Sequence, residues 1–263
     1  MSVCDDLGSP VTIGNSPRAV VSLVPSLTES IATTVPDRLV GATDYCTHPA
    51  GLSVARIGGS KYPRVDDIVA LRPDLVVANA EENRREDVER LRAADVPVWV
   101  TEAPATVPDA LRSLRRLFAE AFTVPVPDWL TAAERVWTPV RPLWTRAIVP
   151  VWRRPWVVLG RDTFSGDLLL RLGVGNALDS DEKRYPRPRL DELRALLADD
   201  RADLVILPDE PYAFTADDGP EAFPGAPYVL VPGRDLTWWG PSLVDAHDHL
   251  TAALGAAAPG GGE

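Results

Sequence analysis

Lysine is almost missing from this chain: Lys61 and Lys183 are its two lysines, and arginine supplies the rest of its 27 basic residues. Against 38 acidic residues this gives a formal net charge of −11. Such a balance leaves no basic face for nucleic acid or for an anionic membrane surface. Cysteine is limited to Cys4, near the terminus, and Cys46, so no disulfide is expected. Histidine occurs three times, at His48, His247 and His249. The last two stand two positions apart on an expected helix and so point to different faces, which argues against direct metal coordination by side chains. No CxxC, HExxH, P-loop or GxSxG pattern occurs. Gly173-Val174-Gly175-Asn176 is too short for a dinucleotide fingerprint and follows an expected helix rather than a strand. No apolar run approaches the ~20 residues of a membrane span. The start, Met1 to Gly8, has neither the basic residues nor the apolar core of a secretory signal, so the cytoplasm is the expected compartment.

What the chain does have is a repeat. Lys61-Tyr62-Pro63-Arg64 leads into Val65-Asp66-Asp67-Ile68, and Arg184-Tyr185-Pro186-Arg187, just after Lys183, leads into Leu190-Asp191-Glu192-Leu193. Downstream, Asp74-Leu75-Val76-Val77 answers Asp203-Leu204-Val205-Ile206, and Glu81 answers Glu210. Val96-Pro97-Val98-Trp99-Val100 then answers Ala226-Pro227-Tyr228-Val229-Leu230. A unit run twice predicts two lobes, and two lobes make a cleft in which a small molecule can lie.

Apolar runs set the elements. Arg18–Val24 reads as a buried strand, followed by a helix through Ile31 that Ser26 or Thr28 can cap. Strands are expected over Leu39–Thr43, Leu75–Ala78 and Val98–Thr101, with helices over Val65–Leu71 and Arg85–Ala94. The second half gives strands at Trp156–Leu159, Leu204–Leu207 and Tyr228–Val231, and helices at Gly166–Leu172, Leu190–Ala198 and Ser242–Leu254. Between the halves lie an amphipathic helix over Pro108–Ala121 and a second from Asp128 to about Trp137, with Pro139 and Pro142 placed to kink or end it. The alternation predicts an α/β fold of two Rossmann-like lobes with mostly parallel sheets. The expected division is an N-terminal lobe over 1–107, a helical connector over 108–149, a C-terminal lobe over 150–255 and a disordered Ala/Gly/Pro tail over 256–263.

Several stretches together resemble one family. They are Val20 to Glu29, Val40-Gly41-Ala42-Thr43-Asp44-Tyr45-Cys46, Ile57-Gly58-Gly59 and Val65 to Val76. This set is similar to the helical-backbone (class III) substrate-binding proteins of bacterial ABC importers, nearest the cobalamin-binding branch, and spans about residues 10 to 255. The resemblance implies two lobes joined by a single long helix, here from Asp128 to about Arg146, with the ligand in the cleft between them. It also implies that Tyr45, Phe164 and Trp238 sit at or within one position of ligand contacts. It places Asp66 and Asp191 where acids at helix starts dock on a permease. Family members are exported, so for a chain read as cytoplasmic such docking is not expected, and the two acids then serve as first-turn helix charges. A ligand-lining Trp of the family aligns near Ser60, which weakens the aromatic platform of the first lobe.

The remaining candidates come from the residues themselves. A flat chelate such as a corrin needs aromatic faces and a few polar anchors. Of Trp238 and Trp239, adjacent in a loop before the last helix, one is expected to face the ligand and the other to pack beneath it, the resemblance favouring Trp238. Glu81 and Glu82 lie in a segment more polar than a strand-to-helix loop needs, opposite the Lys61 loop. Tyr62, Tyr185 and Glu210 follow on the same topological argument. The Pro25-Ser26-Leu27-Thr28 loop, with amides at a helix start, suits an anion. Cys46 reads as a small buried thiol sooner than a metal ligand. These residues favour non-catalytic binding of a small organic ligand, a corrinoid or other metal chelate, with no resident cofactor required. The alternative is a cytosolic enzyme that uses the bilobed cleft, with Glu81, Glu82, Lys61 and Tyr45 as its acid–base groups, although no nucleophile–base set is visible.

Overall fold

The computed structural model describes residues 2–14 and 16–256. The tail expected to be disordered lies, Ala256 apart, outside the described residues. The chain forms two compact units. The first takes residues up to 103, 110–132 and 239–241; the second takes 104–109, 133–238 and the residues from 242 onward.

The first unit opens with a short antiparallel hairpin, β1 (Ser2–Cys4) and β2 (Pro10–Thr12). Its sheet follows: β3 (Val20–Ser22), β4 (Leu39–Ala42), β5 (Ala55–Arg56), β6 (Leu75–Asn79) and β7 (Val98–Thr101). The strands run in the order β5-β4-β3-β6-β7, all parallel. Every residue of β3, β6 and β7 is buried, as expected when helices cover both faces of a parallel sheet. Helix α1 (Pro25–Thr34) follows β3, α2 (Val65–Ala70) precedes β6, and α3 (Arg85–Ala93) precedes β7. One core joins Val21, Val76 and Val98 of the sheet to Ile68 of α2 and Leu91 of α3. Each such side chain removed from water contributes about 1.5–3 kcal/mol.

The hairpin is tied to the outer strand of this sheet. The Asp6 N–H donates to Val100 O at 3.2 Å. Asp5 receives Arg92 at 2.8 Å, and Asp6 is held by Arg116 at 2.5 Å and by the Ser113 hydroxyl. Burial pushes the Asp6 carboxyl above the usual carboxylate range, against the lowering effect of Ser113 and Arg116.

Helix α4 (Val107–Arg116) continues as one wider π-helical turn over Leu117–Ala121. Helix α5 (Asp128–Trp137) ends where the sequence places its prolines, so the longer reach to Arg146 implied by the resemblance is not taken. The division between the two units falls within α4 and within α5.

In the second unit, β8 (Thr145–Ile148) emerges from a stretch expected to be helical connector and becomes an inner strand of the sheet. Trp156–Leu159, expected as that strand, instead forms β10 (Trp156–Val158), which pairs antiparallel with β9 (Pro150–Arg153) as a hairpin. Then come α6 (Phe164–Arg171), β11 (Val174–Asn176), α7 (Leu190–Ala198), β12 (Leu204–Pro208) and β13 (Tyr228–Val231). Helices α8 (Gly233–Thr237) and α9 (Leu243–Gly255) close the chain. The sheet runs β11-β8-β12-β13, again all parallel.

The repeat read in the sequence is therefore a repeat of topology. Without β5, the first sheet has the order β4-β3-β6-β7, which the second matches strand for strand. Two aspartates mark it. The Asp74 carboxylate accepts the N–H groups of Arg18 and Ala19 at 2.8 and 3.0 Å, fixing β3 to β6. Asp203 does the same for β8 and β12, accepting the Arg146 N–H at 2.9 Å. The hairpin β9–β10 is the addition peculiar to the second unit, inserted where β3 of the first unit runs directly into α1.

Candidate functional site

Loops at the carboxyl ends of parallel strands form the ligand-facing edge of an α/β sheet. In the first unit those loops follow β3, β4, β5, β6 and β7, and two buried asparagines lock all but the one after β4 together. The side-chain amide of Asn83 donates to Leu23 O at 3.3 Å and Ser60 O at 3.0 Å. Its carbonyl oxygen accepts the Asn79 N–H at 2.8 Å. Asn79 in turn donates to Thr101 Oγ1 at 3.0 Å and Glu102 O at 2.7 Å. Its own carbonyl oxygen receives the N–H groups of Glu81 and Glu82 at 2.9 and 3.1 Å. The ends of β3, β6 and β7 and the Lys61 loop are thus pinned to one another by two amides. Neither asparagine was among the site candidates read from the sequence. The polarity of the Asn79–Arg84 segment was the available signal, and its two glutamates are the stronger part of it.

Around this network the structure brings Lys61, Glu81 and Glu82 together. The Lys61 ammonium donates to the backbone carbonyl of Glu81. Desolvation raises the Glu82 carboxyl above the ordinary carboxylate range, with Lys61 opposing the shift and Glu81 adding to it. The Glu82 residue as a whole is nevertheless exposed, so the shift reflects protein crowding the carboxyl rather than a sealed site. Tyr45 is 67% exposed and lies on the next loop, where a Cβ added to Gly59 would meet its ring at 3.3 Å. The glycine is what lets the ring rest against backbone.

Cys46 is buried between Thr28 Oγ1 at 3.0 Å and Thr43 Oγ1 at 3.1 Å. Burial pushes its thiol up, against the opposing hydrogen bonds of the two threonines. Neither Ser26 nor Thr28 caps α1: the helix begins at Pro25 after Val24, and the Thr28 hydroxyl donates to Ser22 Oγ at 2.8 Å instead. No group of three or more histidines, cysteines or acids suited to a metal ion occurs among the described residues. His247 packs edge-on to Trp137 and His249 pairs with Asp235, so the two do take different surroundings.

The adjacent tryptophans part company. Both are buried, at 8% and 6% exposure, but Trp238 belongs to the second unit and Trp239 to the first. Trp238 follows the short helix α8 rather than the last strand directly, and carries the Arg234 guanidinium over its ring at 5.7 Å. Gly240 then rests on α1, where a Cβ would meet Ser30 Oγ at 2.7 Å and Ser26 O at 3.1 Å. Phe164 is buried in the first turn of α6, behind the Thr163 cap. The next residue, Ser165, donates to Leu236 O at 2.9 Å, which ties this turn to the segment leading into Trp238.

Glu210 follows β12 as Glu81 follows β6, and its carboxyl is raised by desolvation and by Asp209, with Arg234 opposing. Tyr185 is exposed, and the backbone of Lys183 and Arg184 runs against Gly160, whose N–H donates to Arg184 O at 2.8 Å. The backbone N–H of Lys183 donates to Asp181 Oδ1 at 2.9 Å. Asp66 and Asp191 occupy the first turns of α2 and α7, both largely exposed and each near an arginine.

A sequence profile described as periplasmic binding protein matches residues 20–210. The chain belongs to that family. Among curated relatives, a vitamin B12-binding protein of Vibrio parahaemolyticus is 28% identical over 113 residues, 41% of this chain and 40% of its own length. An uncharacterised ABC transporter substrate-binding lipoprotein of Bacillus subtilis, YvrC, is 34% identical over 80 residues, 30% of this chain. The chain thus spans 26% and 40% of the curated relatives it matches. Among solved structures, the periplasmic vitamin B12-binding protein BtuF of Vibrio cholerae superposes with a TM-score of 0.71 over 92% of this chain and 98% of its own, at 15% identity. Periplasmic haem-binding proteins share the fold as well. The α/β architecture with mostly parallel sheets is that of the two-lobed binding proteins. No helix among the described residues is long and apolar enough to cross a membrane.

Proposed function

We propose that this protein binds a small, flat organic ligand, a corrinoid or another metal chelate, and does no chemistry on it. The observation that carries this reading is the strand-end surface of the first unit. There Asn79 and Asn83 hold the loops bearing Lys61, Glu81 and Glu82 in fixed register, and the exposed Tyr45 ring lies against Gly59 of the Lys61 loop. Preorganised aromatic and polar groups of this kind suit a rigid ring with a polar rim. Phe164 and Trp238 are the corresponding candidates of the second unit. Family membership and the B12- and haem-binding relatives support the choice of ligand class.

Asp66 and Asp191 have two roles in this reading. As first-turn acids each gains about 0.3–1 kcal/mol from its helix dipole. As exposed carboxylates on corresponding helices they are available to the permease of an ABC importer.

The test is titration of the purified protein with cyanocobalamin and haemin, followed by calorimetry, thermal shift and visible absorbance. Trp238→Ala is expected to weaken a bound chelate by ~1–3 kcal/mol. No heat, no shift and no spectral change with either compound would reject the reading. The raised Glu82 carboxyl beside Lys61 favours one rival, an acid–base enzyme. Recovery of the bound chelate chemically unchanged after prolonged incubation excludes it.

A further inference from the structure

Three successive residues of one loop are each gripped by the same neighbouring segment. Ser60 O accepts from Asn83 at 3.0 Å, and the Lys61 ammonium donates to Glu81 O. The Tyr62 ring lies under the guanidinium of Arg84, 4.7 Å from carbon to ring centroid. Arg84 is itself held in a two-point fork by Asp87, at 2.9 and 3.0 Å, and the Asp87 side chain is only 2% exposed.

This arrangement is costly to build for an ordinary surface tyrosine. Withdrawing a carboxylate from water is unfavourable unless it is paired with good geometry. Here the pairing fixes a guanidinium whose central carbon lies over the ring of Tyr62. Tyr62 is 72% exposed, the highest value for a large apolar or aromatic residue among those described. An exposed aromatic fixed on one side by a stacked cation presents its other side as a rigid platform, with little rotamer entropy left to lose on binding. Ser60 itself offers no ring at the start of the loop, whereas Tyr62 lies two residues further on, beside the Lys61–Glu82 group.

We propose that Tyr62 is a ligand-stacking residue of this surface, and that Arg84, clamped by Asp87, is the positioning residue that holds its ring. The inference rests on the binding reading given above and adds a contact to it. Tyr62 supplies a face, Lys61 the N–H groups not used on Glu81, and three contacts join the loop to the segment 79–87.

The experiment compares wild type with Tyr62→Leu, Tyr62→Phe and Arg84→Lys in cyanocobalamin and haemin titrations, with thermal unfolding of each variant alone. Tyr62→Leu should weaken the chelate that binds by about tenfold, in line with aromatic stacking elsewhere, without lowering Tm. Tyr62→Phe keeps the face and should restore affinity to within about twofold of wild type. Arg84→Lys keeps a charge for Asp87 but loses the two-point fork and the flat guanidinium over the ring; it should weaken binding several-fold, and the same change made in Tyr62→Leu should weaken it no further. If wild type binds neither chelate, the binding reading itself falls, and this inference with it. If wild type binds and Tyr62→Leu binds equally well, only this inference is overturned. A Tyr62→Phe variant as weak as Tyr62→Leu overturns stacking, and an Arg84→Lys variant as tight as wild type overturns the positioning role.

Discussion

Replacing Asn83 by alanine tests whether the strand-end loops are held as described. The change deletes two donated hydrogen bonds, to Leu23 O and Ser60 O, and one accepted from the Asn79 N–H. All three lie in buried surroundings. A typical buried hydrogen bond contributes about 1 kcal/mol net, and groups left unsatisfied cost up to ~3 kcal/mol each, so a loss of roughly 2–4 kcal/mol is expected once water partly fills the gap. That corresponds to a fall in Tm of roughly 5–10 °C for a protein of this size. Urea unfolding should show a lower midpoint with an unchanged slope, and amide exchange at Glu81 and Glu82 should speed up, because their N–H partner, Asn79, has lost its own anchor. Asn83→Asp sharpens the test. It keeps an acceptor for the Asn79 N–H but sets a carboxylate against two carbonyl oxygens, so it should be at least as damaging. A loss below about 0.5 kcal/mol in both variants, with exchange unchanged, would refute the clamp.

Two further outcomes follow from close contacts elsewhere. Gly233→Ala places a Cβ 2.4 Å from Glu210 Cγ and 2.6 Å from Glu210 N and O. Because backbone cannot yield, stability should fall by about 1–3 kcal/mol, measured by thermal unfolding, while Gly255→Ala, where the new Cβ meets nothing within 4 Å, leaves Tm as it was or slightly higher. With Ellman's reagent at mildly alkaline pH, exposed Cys4 should react at once and buried Cys46 only on unfolding, since its raised pKa keeps it as the thiol at that pH. Two fast equivalents from the native protein would contradict the buried position.

The alternation of strands and helices was legible because the strands of a parallel sheet are apolar on both faces. Val20-Val21, Leu75-Val76-Val77 and Leu204-Val205-Ile206 read as strands without any tertiary knowledge. The end of α5 was legible from Pro139 and Pro142. Strand β8 was not, because the run from Ala147 to Trp152 is interrupted by Pro150 and straddles two elements, one strand of the sheet and the first of the β9–β10 hairpin. At the site, Tyr45, Lys61 and the glutamate pair were visible as polar and aromatic residues in loops after strands. The asparagines were not, since an amide in a polar loop looks like surface. Only the fold, by bringing Leu23, Ser60 and Thr101 around it, turns that loop inward.

The hairpin at residues 2–12 bears on how this protein can be cut. The family match begins at residue 20, so a fragment trimmed to the matched span would discard Asp5 and Asp6. Arg92 and Arg116 would lose their buried carboxylates, and the outer edge of β7 would lose the backbone bond at Val100. An uncovered strand edge pairs with whatever strand it meets. Homology would then delimit a piece that self-associates, whereas the salt bridges tie residues 2–12 into the first unit.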